Sequence, residues 1–241
     1  SFELYNLFAF ILFNLKKFDL AIKNWDQTIK LNPDFAEAYN NKGNILFMQN
    51  KFQDALVNYD KSIEIKKDFA DAFNNRGNVL RKLNKKKDSI ESYKEAIKIK
   101  PNFAQAYKNL GSIFKEINVI NDSIKNYEKA IKIDPLYLDA LVDLGNILQE
   151  KGEIVAALNH FIKVLKIKYN FKNLLGFFAH VKLKICQWEE IDKILEDIEK
   201  KVAEKKQITQ PWVFLTYNDS PKLQKITSEV WANKGTGSLK V

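Results

Sequence analysis

Apolar residues along this chain return at the spacing of one helical face, in paired stretches. From Ala36 to Gln49 the positions Tyr39, Ile45 and Leu46 follow helical spacing; after Asn50 the pattern resumes from Phe52 to Lys66 with Ala55, Leu56, Tyr59 and Ile63. The spacing predicts two antiparallel helices joined by a short turn, and the pair recurs. Trp25, Tyr59, Tyr93, Tyr127 and Phe161 are 34 residues apart, as are Gly43, Gly77, Gly111 and Gly145. Tyr5, Tyr39, Phe73, Tyr107 and Leu141 keep the same step, and so do Ala21, Ala55, Ser89, Ser123 and Ala157. A fixed period of this length is the mark of a stacked repeat.

The punctuation has the same period. Asn50, Asn84, Asn118 and Gly152 stand where the first helix of each pair should end, and both residue types tolerate the left-handed backbone of such a turn. Pro33, Lys67, Pro101 and Pro135 fall between pairs, where proline stops a helix. The glycines let the first helix approach the second, and the aromatic fills the space against the next pair. One pair cannot bury both of its apolar faces, so neighbours must stack.

An aromatic, a glycine, a small residue, a second aromatic and a proline at this period resemble the tetratricopeptide-repeat (TPR) family. The resemblance implies an all-α fold, a right-handed superhelix of helical hairpins, with five units at 2–35, 36–69, 70–103, 104–137 and 138–171. A helical cap or linker is expected over 172–234 and a disordered tail over 235–241. The first unit has Ala9 at the glycine position, and its first helix is apolar nearly all round: Phe2, Leu4, Leu7, Phe8, Phe10, Ile11, Leu12 and Phe13. Such a helix expects cover on both sides. Either a repeat precedes it or this end self-associates.

The resemblance also implies an inner surface lined by the first helix of each unit. The second unit presents Glu37, Asn40, Asn41, Asn44, Phe47 and Met48; the third, Asp71, Asn74, Asn75, Asn78, Arg81 and Lys82. The fourth presents Gln105, Lys108, Asn109, Ser112, Lys115 and Glu116, and the fifth Asp139, Asp143, Asn146, Gln149 and Glu150. An asparagine amide has an acceptor and donors and can bond a peptide group bidentately. Repeated once per unit, it would hold an extended peptide or protein segment by its backbone. The bland alternative is a polar helix face enriched in asparagine by genome composition, although asparagine is a poor helix former. Asn41, Asn75 and Asn109, two residues before the repeat glycine, resemble the asparagine ladder of O-linked N-acetylglucosamine transferases. Asp143 and Leu7 depart from that ladder.

Beyond residue 171 the period is lost. Helices are predicted over 172–185 and 188–206, and Asp219, Ser220 and Pro221 form the start signal of a helix reaching Trp231. Ile185-Cys186-Gln187-Trp188 resembles the Cys-Asp-Trp motif after the repeats of bacterial and plant relatives of the same transferases. Pro211 to Leu215, with Asp219-Ser220-Pro221, resembles the segment leading into their catalytic region. The resemblance implies the substrate-recognition part of a protein glycosyltransferase; the alternative is a stand-alone adaptor for complex assembly.

Composition narrows the chemistry. The charge of +9 invites a nucleic-acid reading, yet only Arg76 and Arg81 among 39 basic residues are arginine. Nucleic-acid interfaces favour its planar fork, so a solvated lysine surface is expected and no nucleic-acid partner. Phe2 to Leu15 falls short of the ~20 apolar residues a membrane span needs, and no membrane partner is expected. A single cysteine, Cys186, rules out an intrachain disulfide and suits a reducing cytoplasm. Half of the eight glycines are repeat glycines, leaving no phosphate loop. His160 and His180 have no evident partners for a metal or a triad. The expectation is a binding scaffold with no catalytic residue, metal or cofactor of its own.

Overall fold

The computed structural model describes residues 1–168, 171, 174–184, 191–204 and 220–235. All the regular structure among them is helical: α1 (Phe2–Asn14), α2 (Phe18–Leu31), α3 (Ala36–Met48), α4 (Phe52–Ile65), α5 (Ala70–Lys82), α6 (Lys86–Ile99), α7 (Ala104–Glu116), α8 (Ile120–Ile133), α9 (Leu138–Glu150), α10 (Ile154–Ile167), α11 (Leu174–Lys184), α12 (Ile191–Ala203) and α13 (Pro221–Gly235). The chain divides into two compact units, 1–134 and 135–241. The first is four hairpins, α1–α2 to α7–α8, stacked in chain order, so that α2 meets α3, α4 meets α5 and α6 meets α7.

Each hairpin closes through one turn geometry. Asn50, Asn84 and Asn118 have φ of 59°, and Gly152 has φ of 83°. Lys51 N–H donates to Leu46 C=O at 2.9 Å and Asn50 N–H to Phe47 C=O at 3.0 Å, the paired bonds of a Schellman motif. The same two bonds recur at Asn84–Lys85, Asn118–Val119 and Gly152–Glu153. The first hairpin makes them too, but with Lys16 at φ 58°. No turn signal marks that lysine; only its phase does.

The aromatic column forms the centre of each hairpin. Trp25, Tyr59, Tyr93, Tyr127 and Phe161 are all at most 2% exposed. A Cβ on Gly43 would lie 2.7 Å from the Tyr59 ring, one on Gly77 2.5 Å from Tyr93 and one on Gly145 2.4 Å from Phe161, so the close approach requires glycine. Within the first unit three of these rings also meet the next hairpin: Trp25 packs with Ala38 and Ile45, Tyr59 with Val79 and Leu80, and Tyr93 with Leu110 and Ile113. The small-residue column does more than make room. Ser89 and Ser123 hydroxyls donate to the carbonyls of Gly77 and Gly111, both at 2.8 Å.

A further column is Phe35, Phe69 and Phe103, the residues preceding α3, α5 and α7. The ammonium groups of Lys66 and Lys100 lie 4.9 and 4.7 Å from the Phe69 and Phe103 ring centroids, closing the link between hairpins by cation–π contact.

In the second unit α9 and α10 form a hairpin, and α10, α11, α12 and α13 pack in sequence. The helix predicted over 172–185 is observed at Leu174–Lys184, and that over 188–206 at Ile191–Ala203. Ser220 Oγ accepts from Leu223 N–H at 3.4 Å with Pro221 opening the helix, which runs to Gly235 rather than stopping at Trp231. Cys186, Trp188, Pro211 to Leu215 and the tail after Gly235 lie outside the described residues.

Candidate functional site

The asparagines on the first helices form a belt within the first unit. Asn75 Nδ2 donates to Asn40 Oδ1 at 3.0 Å and to Asn44 Oδ1 at 3.1 Å. One repeat on, Asn109 Nδ2 donates to Asn74 Oδ1 at 2.9 Å. Asn40 Nδ2 is 3.4 Å from Asn41 Oδ1, the weakest link of the belt. Asn40, Asn74 and Asn109 are 6%, 1% and 8% exposed. Those three lie in the seam between repeats, drawn in by these amide bonds, whereas Asn41, Asn44, Asn75 and Asn78 remain half-buried.

The tyrosines reach the same face. Tyr59 and Tyr93 hydroxyls donate to Asn44 and Asn78 Oδ1, each at 2.8 Å, and Tyr127 donates to Ser112 Oγ at 3.0 Å. Desolvation raises the Tyr59 phenol above its ordinary range and pushes that of Tyr93 up to about 12, so both stay protonated donors. The first hairpin replaces this bond with Trp25 Nε1 donating to Asn6 Oδ1 at 3.1 Å.

These bonds determine what each amide has left to offer. Asn44 and Asn78 spend their oxygen on tyrosine and keep their N–H donors. Asn75 spends both N–H groups on Asn40 and Asn44 and keeps its carbonyl acceptor. Asn44, Asn75 and Asn78 line one recess with Phe13, Phe47, Met48 and Tyr59. Donors for a peptide C=O and an acceptor for a peptide N–H therefore share one apolar-floored hollow. A second recess, of Phe47, Asn78, Arg81, Lys82 and Glu116, continues it.

The charges nearby are mostly paired. Arg81 Nε donates to Glu116 at 2.8 Å, and a second guanidinium nitrogen reaches the same oxygen. Partial burial would lower the Arg81 pKa, but the Glu116 carboxylate outweighs it and raises the value. Lys42 binds Asp26 and Arg76 binds Asp60, each at 2.6 Å and each linking one hairpin to the one before. Lys108 and Lys115 are half-buried and have partners of their own. Asp143 and Asn146 belong to the second unit, on α9, and are half-buried there. His160 is half-buried in the same unit. Among the described residues no cluster of His, Cys, Asp or Glu side chains could hold a metal ion, and no helix is long and apolar enough to cross a membrane.

Sequence reasoning missed the tyrosine–asparagine bonds and the belt. A signal existed in the register: the first recur at a separation of 15 residues and the second at 35, one residue more than the repeat.

No curated protein sequence matches the chain. Among solved structures it is similar to PilF of Pseudomonas aeruginosa (13% identity, TM-score 0.75, covering 95% of this chain and 97% of that one). It is also similar to MamA of Desulfovibrio magneticus RS-1 (21% identity, TM-score 0.61, covering 70% and 95%). A third similar structure is YrrB, described as a TPR protein with an unusual peptide-binding site (18% identity, TM-score 0.59, covering 85% and 97%). At these identities the likeness concerns the fold. The TPR repeat family matches residues 11–50, 43–84 and 77–118, and the tetratricopeptide repeat matches again at 104–135, more than half of the sequence. Five columns in one phase, the hairpins they build and these matches lead to one conclusion: the chain belongs to the tetratricopeptide-repeat family.

Proposed function

We propose that this chain acts by binding, and that the first-helix face of its first unit holds an extended segment of a peptide or protein. The observation that carries the reading is the recess of Phe13, Asn44, Phe47, Met48, Asn75 and Asn78. It combines an apolar floor with unused donors on Asn44 and Asn78 and an unused acceptor on Asn75. A segment lying there satisfies its backbone while burying a side chain. The expected ladder of Asn41, Asn75 and Asn109 takes a more restricted form. A ligand that needs the N–H groups of Asn75 or Asn109 must first displace Asn40, Asn44 or Asn74.

The test is selection of binders for the full chain from a random dodecapeptide display library. Their affinities are then compared on Asn44→Asp and Asn78→Asp variants. Aspartate keeps an acceptor for tyrosine but removes the donors. Binding should weaken by about tenfold, roughly the worth of one or two hydrogen bonds. A library that yields no binder, or binders indifferent to both changes, removes the proposal.

Self-association through α1 is a second reading, favoured by its exposed surface. Ile11 shares a column with Ile45, Val79 and Ile113, each fully buried against the aromatic of the preceding hairpin, yet Ile11 is 44% exposed. Leu4, in the column of the buried Ala38, Ala72 and Ala106, is 65% exposed, and Leu7 and Phe8 exceed half. Light scattering should give a mass above one chain that returns to one chain in Leu4→Lys, Phe8→Lys. A monomer at all concentrations counts against it.

The glycosyltransferase assignment is a finer proposal on the same face. It rests on Ile185 to Trp188 and Pro211 to Leu215, both outside the described residues, and on the partial ladder. A reading frame that continues past Val241 into a Gly-rich nucleotide-sugar domain would support it; a stop codon there favours the adaptor.

A further inference from the structure

One column of the repeat changes character along the proposed binding face. Phe13 and Phe47 give way, at the same phase, to Arg81 and Lys115, and in the adjoining column Met48 gives way to Lys82. The two recesses follow that change. One is floored by Phe13, Phe47 and Met48, the other edged by Arg81, Lys82 and Glu116, and Phe47 and Asn78 belong to both. Met48 is 54% exposed, so its thioether is not explained by the core. Lys82 is exposed and makes no ion pair among the described residues.

We infer that the segment held here carries a bulky apolar side chain and, about three residues away, an acidic one. The inference rests on the peptide-binding reading of the same face. Its spacing follows from geometry. The first helices of successive hairpins, α3 and α5, are direct neighbours. Packed helices lie about 9 Å apart, and an extended chain advances about 3.3 Å per residue, so one repeat corresponds to about three residues. The apolar side chain sits on Phe47 and Met48, where a flexible thioether adapts to different shapes. The carboxylate meets Lys82 and the outer edge of the Arg81 guanidinium, in competition with Glu116. That competition makes Glu116 a control on affinity: its carboxylate already occupies the strongest donor on the face.

The test uses the same dodecapeptide selection on the full chain. Enriched sequences should pair Leu, Ile, Met or Phe with Asp or Glu at a spacing of two to four. Met48→Ser should weaken them about fivefold through lost apolar contact. Lys82→Glu should weaken them about tenfold and shift a fresh selection toward Lys and Arg, while Lys82→Arg keeps the wild-type preference. Glu116→Gln should tighten binding of the acidic peptides. Both Met48 and Lys82 are solvent-exposed, and circular dichroism verifies that the variants fold. Binders that depend on Asn44 and Asn78 yet show no such pairing, or ignore Met48 and Lys82, overturn this inference and leave the binding face standing. An empty selection overturns both.

Discussion

The Tyr93 hydroxyl donates to Asn78 Oδ1 at 2.8 Å, while the ring of the same tyrosine occupies the space a side chain on Gly77 would need. One residue therefore closes its hairpin and fixes an amide on the binding face. Tyr93→Phe should cost about 1 kcal/mol in urea denaturation, the worth of one hydrogen bond. Tyr93→Ala should cost about 3 kcal/mol or more, because it leaves a cavity in a fully buried site. Equal losses for the two would show that the ring contributes nothing.

The repeat glycines are not equivalent. A Cβ on Gly77 meets the Tyr93 ring at 2.5 Å, but one on Gly111 meets its nearest atoms at 3.2 Å. Alanine in a helix gains about 1 kcal/mol over glycine, and overpacking costs about 1–3 kcal/mol. Gly77→Ala should thus destabilise, while Gly111→Ala should come out close to neutral. Thermal denaturation of the two variants side by side decides it.

Lys16 holds a left-handed backbone that asparagine or glycine holds in every later hairpin. That conformation costs an ordinary residue about 1 kcal/mol. Lys16→Gly should stabilise the protein by up to about 1 kcal/mol, and Lys16→Asn by less. A fall in stability would show that the lysine side chain makes a compensating contact.

His160 ties stability to pH. Burial holds its imidazole below the ordinary 6.5, with a contribution from Lys163, and Nδ1 is buried without a partner. The unfolded chain then takes up the proton first as the pH falls. Stability from this group is complete above 6.5 and is lost as the pH drops from 6.5 through the lower folded-state value. His160→Leu should flatten the denaturation midpoint across that window. An unchanged slope would assign it to other groups.

The hairpins were legible because their cause is local and periodic: a left-handed turn residue, a glycine and an aromatic recur at one phase. Asn50, Asn84, Asn118 and Gly152 fall where they were expected. Lys16 escaped notice because lysine is not a turn residue; the phase alone identifies it. On the candidate face the asparagines were legible as a series, but their partners were not. Whether Asn75 points its amide at a ligand or at Asn40 depends on how two hairpins are staggered, a tertiary relation, seen where Tyr59 packs with Val79 and Leu80, that no local pattern encodes. The resemblance placed Asn40 and Asn74 on the inner surface with Asn41 and Asn75, although neighbours on a helix point about 100° apart. The structure puts the first pair in the seam.

The asparagine bonds join the second hairpin to the third and the third to the fourth, each spanning a single junction, so strain at one junction stays there. A segment seated across the α3–α5 junction clamps the very bonds that hold it shut. Occupancy should register as slowed amide exchange at that junction, with the outer hairpins fraying as before. The array would then stiffen at one joint, as a chain does when a single link is pinned.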